Sequence, residues 1–252
     1  MTNIILCGCG GRMGRAIAAA LPDDVTIVAG VDINASSLSN ALDFPVYENI
    51  ADFCGKADAI VDFSHHSALP SLLDYAKATK TPLVVATTGH TEEELALMRA
   101  SAEDVAVFHS GNFSIGINLL VNLARQAART LGVDFDIEIV EKHHNKKLDA
   151  PSGTALMIAN AVTDEREESE YVYDRHSVRK AREQSEIGIH SVRGGTIVGE
   201  HEIIFAGSNE VVSISHSAAS REIFATGALR AAVYLASKSA GLYNMSDLIE
   251  GK

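Results

Sequence analysis

The part of the sequence best suited to chemistry is a run of histidines and lysines followed by a Pro-Ser-Gly-Thr turn. Residues 141–156 read E-K-H-H-N-K-K-L-D-A-P-S-G-T-A-L, in a chain whose formal net charge is −12. Histidine exchanges protons near neutral pH, because the unperturbed pKa of its imidazole is about 6.5. Lysine side chains and the N–H groups at a helix start both bind carboxylates. The segment therefore predicts a receptor for a small dianion that also needs a proton, with Ser152 or Thr154 capping the helix.

The histidines also have a structural and a metal-binding interpretation, which this segment alone leaves open. Adjacent residues on a strand point to opposite faces, so at most one of His143 and His144 faces a given site. Three histidines on later predicted strands, His190, His201 and His216, could supply further nitrogen ligands. Aspartate and glutamate ligands at a convincing spacing are missing, and neighbouring lysines are usually solvated surface. We therefore predict no metal.

A glycine-rich loop lies between the first predicted strand and the first predicted helix. The sequence I-I-L-C-G-C-G-G-R-M-G-R fits G-x-x-G-x-x-G through Gly8, Gly11 and Gly14, whereas Met13 occupies the last glycine position of the stricter G-x-G-x-x-G pattern. Glycines at such a turn let a dinucleotide pyrophosphate approach the N–H groups of the helix start. A ligand-free strand-to-helix turn would have the same composition.

Asp32 strengthens the dinucleotide interpretation, because it ends the second predicted strand. An acid at this position commonly binds the ribose hydroxyls of NAD. No lysine or arginine follows it, since Ile33 and Asn34 stand next, so nothing nearby would neutralise the 2′-phosphate of NADPH. We predict that NADH is used in preference to NADPH.

Composition narrows the possible classes of protein. The chain has 252 residues, 46% of them apolar, which is enough for a substantial core. Its acidic balance argues against nucleic acid and anionic membranes as partners. The cysteines Cys7, Cys9 and Cys54 form no disulfide framework. With no basic leader and no apolar run of membrane-spanning length, the sequence predicts a cytoplasmic protein without membrane association.

The order of predicted elements indicates how these residues are positioned. Strands predicted at residues 4–6, 25–31, 59–63, 83–86 and 105–108 alternate with helical patterns, which is typical of a parallel sheet flanked by helices. One helix start is marked by a capping box of Thr91 and Glu94. From residue 135 the pattern alternates as in strands with one solvated face, which favours an antiparallel or mixed sheet. A domain boundary is expected near residue 115, and a last helix begins at residue 221 or 222.

Several motifs together resemble the 4-hydroxy-tetrahydrodipicolinate (dihydrodipicolinate) reductase family of lysine and diaminopimelate biosynthesis. They are G-C-G-G-R-M-G-R, V-D-F-S, A-T-T-G, G-N-F-S-I-G-I-N, E-K-H-H-N-K-K-L-D-A-P-S-G-T-A and S-R-E-I-F-A-T-G-A. They occur in the family's order over nearly the whole chain. The resemblance implies an α/β fold in which residues 1–115, completed by residues 221–252, form a Rossmann-like dinucleotide-binding domain. Residues 116–220 would then form an α+β domain for substrate binding and oligomerisation.

The resemblance also implies an activity and its participants. The family reduces a cyclic dicarboxylate with NADH or NADPH and forms a homotetramer through the sheet of its second domain. By correspondence with the motifs, His143 is the proton donor and Lys147 the second catalytic residue. Substrate binding falls to His144, Gly153, Thr154 and Arg221. Cofactor binding falls to Gly8, Gly11, Arg12, Met13, Gly14, Asp32, Phe63, Ser64, Ala86, Thr87, Thr88, Gly89, Gly111, Asn112 and Phe113.

Two other functions fit part of the sequence. A dehydrogenase of an open-chain amino acid could keep the glycine loop, but the intact H-H-x-x-K and P-S-G-T segments argue against it. A nicotinamide-binding sensor would need an output surface, and neither a basic helix-turn-helix segment nor a disordered tail is evident. Turnover of the cyclic substrate separates both from the reductase.

Overall fold

The computed structural model describes residues 1–251, in which twelve strands and eight α-helices are found. The strands are β1 (Thr2–Cys7), β2 (Val25–Val31), β3 (Val46–Tyr47), β4 (Ala59–Asp62), β5 (Leu83–Val85), β6 (Ala106–His109), β7 (Asp136–His143), β8 (Glu170–Val172), β9 (Glu186–Arg193), β10 (Gly199–Ala206), β11 (Val211–Ala218) and β12 (Gly241–Tyr243). The helices are α1 (Arg12–Ala19), α2 (Ala35–Leu38), α3 (Leu69–Thr79), α4 (Glu92–Ser101), α5 (Ile115–Leu131), α6 (Gly153–Thr163), α7 (Glu222–Leu235) and α8 (Met245–Glu250).

The chain divides into two compact units. The first comprises Met1–Ser114 together with the chain from Glu222 onward, and the second comprises Ile115–Arg221. The domain limits expected from the sequence, after residues 115 and 220, lie beside these positions. Helices α7 and α8 therefore belong to the same unit as the glycine loop.

The first unit contains a seven-stranded parallel sheet in the order β12-β6-β5-β4-β1-β2-β3. The apolar residues of β1 and β4 are almost completely buried. Because helices cover both faces of a parallel sheet, its strands are mostly apolar, as A-I-V-D at β4 is. The strand order reverses at β1, and ligands of such sheets bind at the carboxyl ends of the strands next to this reversal. The predicted Rossmann-like sheet is confirmed, as is the capping box of Thr91 and Glu94 at α4.

The second unit contains a mixed sheet in the order β11-β10-β7-β9-β8. β10 is antiparallel to both β7 and β11, whereas β9 is parallel to β7 and β8. Helices α5 and α6 supply a core cluster that packs with Ile137 and Ile139 of β7. Because side chains alternate along a strand, Glu141 and His143 lie on the same buried face of β7 as those isoleucines. The mixed sheet expected from the alternating pattern is confirmed.

No helix within residues 1–251 is both long enough and apolar enough to cross a membrane.

Candidate active site

The glycine loop between β1 and α1 is packed too closely for side chains. Gly8 has a φ of +74°, and a Cβ on it would lie 2.5 Å from the carbonyl oxygen of Phe63. A Cβ on Gly14 would lie 2.3 Å from the carbonyl oxygen of Gly8 and 2.6 Å from Cα of Cys9. Both contacts involve backbone, which cannot rotate away as a flexible side chain can. Gly14 therefore lets α1 approach the loop after β1, and Gly8 lets that loop approach Phe63, at distances that only residues without a Cβ permit.

The start of α1 fits a pyrophosphate. Gly11 is the N-cap and contributes no side-chain hydrogen bond, and the first turn holds no acidic residue. The helix dipole and the N–H groups of that turn are thus left to an external anion, and Arg12 is the first residue of the helix. These features match what a dinucleotide requires.

A cleft of about 710 Å³ opens beside Asp32 in the first unit and is called the Asp32 cleft. The Asp32 carboxylate accepts hydrogen bonds from N–H of Gly10 at 2.9 Å and from N–H of Asn34 at 3.0 Å. It therefore fixes the glycine loop as well as facing the cleft. Glu48, which sequence analysis did not single out, also lines this cleft. The cleft lining includes these residues expected to bind cofactor: Gly8, Gly11, Asp32, Phe63 and Ser64.

A second cleft in the same unit, of about 520 Å³, lies beside Thr87 and is called the Thr87 cleft. Two residues that sequence analysis missed, Ser110 and Phe224, line it as well. Gly14 and Gly89 line neither cleft; Gly14 is buried in the first turn of α1, and Gly89 has a φ of +84°. The Thr87 cleft gathers these predicted cofactor residues: Arg12, Met13, Phe63, Ser64, Ala86, Thr87, Thr88, Gly111, Asn112 and Phe113.

Asp62, the last residue of β4, joins the loop at Ser64, which lines both clefts, to the loop at Thr87, which lines only the Thr87 cleft. Its fully buried carboxylate accepts hydrogen bonds from N–H and Oγ of Ser64, at 2.9 and 2.5 Å, and from Oγ1 of Thr87 at 2.8 Å. Burial raises the pKa of Asp62, and these hydrogen bonds act in the opposite direction. The sequence showed only the motif V-D-F-S and gave no reason to separate this acid from its neighbours.

Replacing Asp62 with alanine is expected to weaken NADH binding by roughly 10- to 100-fold. A hydrogen bond to a charged group contributes about 1.5–3 kcal/mol, and here its loss releases both Ser64 and Thr87. Titration of NADH fluorescence measures the change. Asp58→Ala is the matched control, because Asp58 precedes the same strand and its exposed carboxylate accepts only one backbone hydrogen bond described here, from Asn3. Equal affinities for the two variants would contradict the role given to Asp62.

In the second unit, His143 lies against a buried carboxylate two residues earlier on β7. Its Nδ1 is 2.6 Å from Oε2 of Glu141, and its side chain is 11% exposed. Glu141 also accepts two hydrogen bonds from the guanidinium of Arg193, at 2.7 and 2.8 Å, and one from N–H of Ser152 at 3.1 Å. Burial of Glu141 opposes ionisation, but hydrogen bonds from Arg193 and His143 lower its pKa to about 2. Glu141 is therefore a carboxylate at neutral pH.

His201 is the second imidazole beside His143, with ring centroids 5.2 Å apart. Burial, and then the electrostatic effect of the neighbouring His143, lower the pKa of His201 to about 4. A neutral His201 can accept the hydroxyl hydrogen of Ser152, whose Oγ lies 3.1 Å from Nε2. The same Oγ accepts from N–H of Ala155, so Ser152 caps α6, as one of the two capping candidates predicted. Among residues 1–251, no group of three His, Cys, Asp or Glu side chains is arranged to hold a metal.

The remaining residues expected to bind substrate lie around the loop that follows β7. Nε2 of His144 is 3.2 Å from Nη2 of Arg221, and Nζ of Lys147 is 2.9 Å from Oδ2 of Asp149. Loss of solvation, and then the charges of Arg221, His143 and Lys147, lower the pKa of His144. Gly153 and Thr154 form the first turn of α6, next to the Ser152 cap. The loop therefore concentrates positive charge beside a helix start.

Sequence analysis missed two residues of this network, Glu141 and Arg193, and considered His201 only as a possible metal ligand. Glu141 and His143 share a strand face by their i, i+2 spacing, a signal that the sequence did contain. Arg193 comes 52 residues after Glu141, and the parallel register that pairs His143 with Arg193 brings it there. No local pattern in the sequence reports that register.

Comparisons with known proteins agree along the whole chain. Residues 2–113 match the family model for the N-terminal part of dihydrodipicolinate reductase, and residues 116–249 match that for its C-terminal part. A 4-hydroxy-tetrahydrodipicolinate reductase of Caldanaerobacter subterraneus is 50% identical over 99% of both chains, and one of Clostridium novyi is 46% identical over 100% of both. A dipicolinate-bound dihydrodipicolinate reductase from Paenisporosarcina sp. TG-14 superposes with a TM-score of 0.80, at 26% identity over 97% of each chain.

These matches decide between the functions that the sequence left open. The rival open-chain dehydrogenase and the sensor would each share the glycine loop, but not both halves of one reductase family in the same order. The chain belongs to the dihydrodipicolinate reductase family, oxidoreductases that use NADH or NADPH to reduce 4-hydroxy-tetrahydrodipicolinate in lysine and diaminopimelate biosynthesis.

Proposed function

We propose that the two units divide the family reaction between cofactor binding and proton delivery, with His143 as the proton donor and Lys147 as the second catalytic residue. The observation that carries this proposal is the contact of Glu141, which is paired with Arg193, with Nδ1 of His143, beside a cluster of cationic side chains. The net reaction adds a hydride and a proton to 4-hydroxy-tetrahydrodipicolinate and releases water. The residues below account for the binding steps and for the proton.

The first unit would hold the nicotinamide cofactor, which supplies the hydride when bound. N–H groups at the start of α1 and the guanidinium of Arg12 would bind its pyrophosphate. The Asp32 carboxylate would accept from the adenosine ribose hydroxyls. Residues of the Thr87 cleft, with Thr87 itself fixed by Asp62, would surround the nicotinamide ring. Apolar lining such as Phe113 and Phe224 would exclude water from that ring.

The second unit would hold the dicarboxylate. His144, Arg221 and the N–H groups of Gly153 and Thr154 would bind the carboxylates, as a helix start binds anions. Lys147 would exchange its bond to Asp149 for one to the substrate. His143 would then give the proton on Nε2 to the substrate and take another from solvent. Dipicolinate bound to the Paenisporosarcina enzyme supports a planar dicarboxylate as ligand.

NADH is proposed as the preferred cofactor. Asp32 and Glu48 both line the Asp32 cleft, and its only basic lining residue within the described chain is His65. Two carboxylates would repel the 2′-phosphate of NADPH in the absence of an arginine or lysine. Ile33, which is 84% exposed beside Asp32, offers no neutralising charge.

Enzyme assays test both the activity and the preference. Substrate generated from pyruvate and aspartate semialdehyde by the preceding synthase is supplied with NADH or NADPH, and loss of absorbance is followed. We expect faster turnover with NADH. Ile33→Arg should improve relative use of NADPH by roughly tenfold, as one charge-assisted hydrogen bond would, whereas the uncharged control Ile33→Gln should not. Equal use of both cofactors by the wild type would reject the preference, and absence of substrate-dependent oxidation would reject the activity.

Dicarboxylate binding is expected to raise the pKa of His144. In the free protein that pKa is lowered by loss of solvation and by nearby cations, whose effect a bound dianion would oppose. Binding therefore takes up a proton, and dipicolinate affinity should fall as pH rises through the pKa of His144 in the complex. NMR titration of the imidazole with and without dipicolinate measures the shift. His216, whose pKa is lowered by burial alone, is the internal control. A fixed His144 pKa would place the anion elsewhere.

The proposed homotetramer and cytoplasmic location extend the family assignment. Strand β11 is an edge of its sheet, with Val211 62% exposed and alternate residues after it also exposed. An exposed edge strand of this kind is suited to pairing between chains. Sedimentation equilibrium would show a single tetramer mass, and a monomer would reject this proposal. The unpaired thiols of Cys7, Cys9 and Cys54 suit a reducing compartment.

A further inference from the structure

Glu141 is a buried residue that the proposed function places against His143 without giving it a role of its own. It is fully buried and accepts four hydrogen bonds, from His143, from two nitrogens of Arg193 and from N–H of Ser152. Burying a carboxylate is costly unless it is paired and hydrogen-bonded. Arg193 alone would balance the charge of Glu141. The additional short contact to His143 is therefore not required to neutralise Glu141.

The contact of Glu141 with Nδ1 of His143 determines which ring nitrogen can donate a proton to a substrate. A carboxylate only accepts hydrogen bonds, so Nδ1 of His143 carries its hydrogen toward Oε2 of Glu141. Nε2 is then the nitrogen whose hydrogen can leave. Arg193, which also donates to the carbonyl oxygen of Asp149, keeps the carboxylate from rotating away. The ring is thus fixed in both orientation and tautomer.

We propose that Glu141 is a positioning residue for proton transfer: with its carboxylate clamped by Arg193, it holds Nδ1–H of His143 and presents Nε2–H to the substrate. During transfer the Nε2–H bond breaks and the proton bonds to the substrate, leaving a neutral imidazole that keeps its Nδ1–H on Glu141. Solvent then returns a proton to Nε2. This inference rests on the proposed role of His143 and adds the group through which that histidine is oriented.

A purely structural role is the competing explanation, because the Glu141–Arg193 pair also ties β7 to β9. The chain offers a matched control on the same strand. Glu138 accepts a hydrogen bond from Nε2 of His190 at 2.7 Å and one from Arg182 at 3.1 Å. It therefore has the same kinds of partner as Glu141 without contact to His143. Replacing either glutamate with glutamine keeps the side-chain size and removes the charge.

Steady-state kinetics of Glu141→Gln and Glu138→Gln test the proposal, after elution volume and circular dichroism have shown that both variants assemble and fold. We expect kcat of Glu141→Gln to fall by roughly 10- to 100-fold, as for loss of a hydrogen bond to a charged group. KM for the substrate should change less than threefold or so. The ratio of kcat in H₂O to kcat in D₂O should rise, because proton delivery becomes slower. Glu138→Gln should match the wild type in all three. An unchanged kcat or isotope ratio in Glu141→Gln would overturn the proposal.

A double variant separates this inference from the function on which it rests. If Glu141 acts through His143, adding Glu141→Gln to His143→Gln should cause little further loss of kcat. A full additional loss would indicate an independent structural role and overturn the inference. If His143→Gln alone retains normal turnover, the proposed proton donor is wrong, whatever Glu141 does.

A measurement on the unmodified protein covers the case in which Glu141→Gln fails to fold. In protein labelled with ¹⁵N-histidine, the two-bond ¹H–¹⁵N spectrum reports which ring nitrogen carries hydrogen. We expect Nδ1 of His143 to carry hydrogen at every pH sampled. A His143 ring that is neutral with hydrogen on Nε2 alone would overturn the proposal.

Discussion

Lys147→Ala is expected to lower kcat/KM by roughly 10²- to 10⁴-fold, the range typical of a positioned group in acid–base catalysis. Nζ of Lys147 lies 2.9 Å from Oδ2 of Asp149, in the loop that also carries His144. The side chain is only one-fifth exposed, so its charge acts where solvent screens it poorly. Removing it takes away both a hydrogen-bond donor to the substrate and a charge that stabilises the developing anion.

Lys146→Ala is the control for this prediction, because Lys146 is the neighbouring residue and its side chain is exposed. Both variants remove one positive charge from the same loop, so any general electrostatic effect on a dianionic substrate is shared. We expect Lys146→Ala to retain activity within about threefold, since exposed charges interact weakly through water. Thermal unfolding checks that Lys147→Ala is folded. Similar activities for the two variants would remove Lys147 from the site.

Gly14→Ala is expected to destabilise the first unit and to abolish tight cofactor binding, against the usual effect of this substitution. In an ordinary exposed helix, alanine is more stable than glycine by about 1 kcal/mol. At Gly14 the new Cβ would meet the carbonyl oxygen of Gly8 at 2.3 Å, so the backbone of the loop must move. Overpacking of this kind costs about 1–3 kcal/mol, and the movement displaces the N–H groups proposed to bind the pyrophosphate.

Two measurements test whether alanine at position 14 destabilises the protein rather than stabilising it. The free energy of unfolding, from urea titration, should fall for Gly14→Ala, and NADH affinity, from fluorescence titration, should fall more than tenfold or so. Gly194→Ala is the control in the second unit, since a Cβ there has no neighbour within 4 Å. It should leave both quantities close to those of the wild type. A Gly14→Ala protein more stable than the wild type would show that α1 can move without cost.

Positively charged side chains can cluster around the loop after β7 of this acidic protein, because nearby carboxylates balance part of their charge and distant ones are screened. In the second unit, loss of solvation and then the charges of nearby groups, among them Arg221, Lys147 and Arg193, lower the pKa of His144. Glu141 and Asp149 balance part of that charge. The formal net charge of −12 is therefore no obstacle to binding a dianion, because screening limits the reach of distant carboxylates to about 8 Å at physiological salt.

The sequence by itself determined the features that depend on neighbouring residues. Periodicity located five of the seven strands of the parallel sheet and missed the short strands β3 and β12. Side-chain chemistry located the cap at Thr91 and limited the cap of α6 to Ser152 or Thr154. Local glycine spacing marked the loop at Gly8. The motifs around His143 were specific enough to indicate the reductase family. Each of these signals lies within a few residues of the chain, where hydrogen-bond geometry and steric limits act directly.

Only the tertiary structure decided which distant residues meet. The register of β7 against β9 places Arg193 on the carboxylate of Glu141, and the order of β4 and β5 places Thr87 on Asp62. A strand carries the same alternating pattern whichever partner it pairs with, and a shift by two residues preserves its buried face. Pairing is settled by the packing of whole sheets against their helices, an energy summed over many contacts that no short stretch of sequence contains.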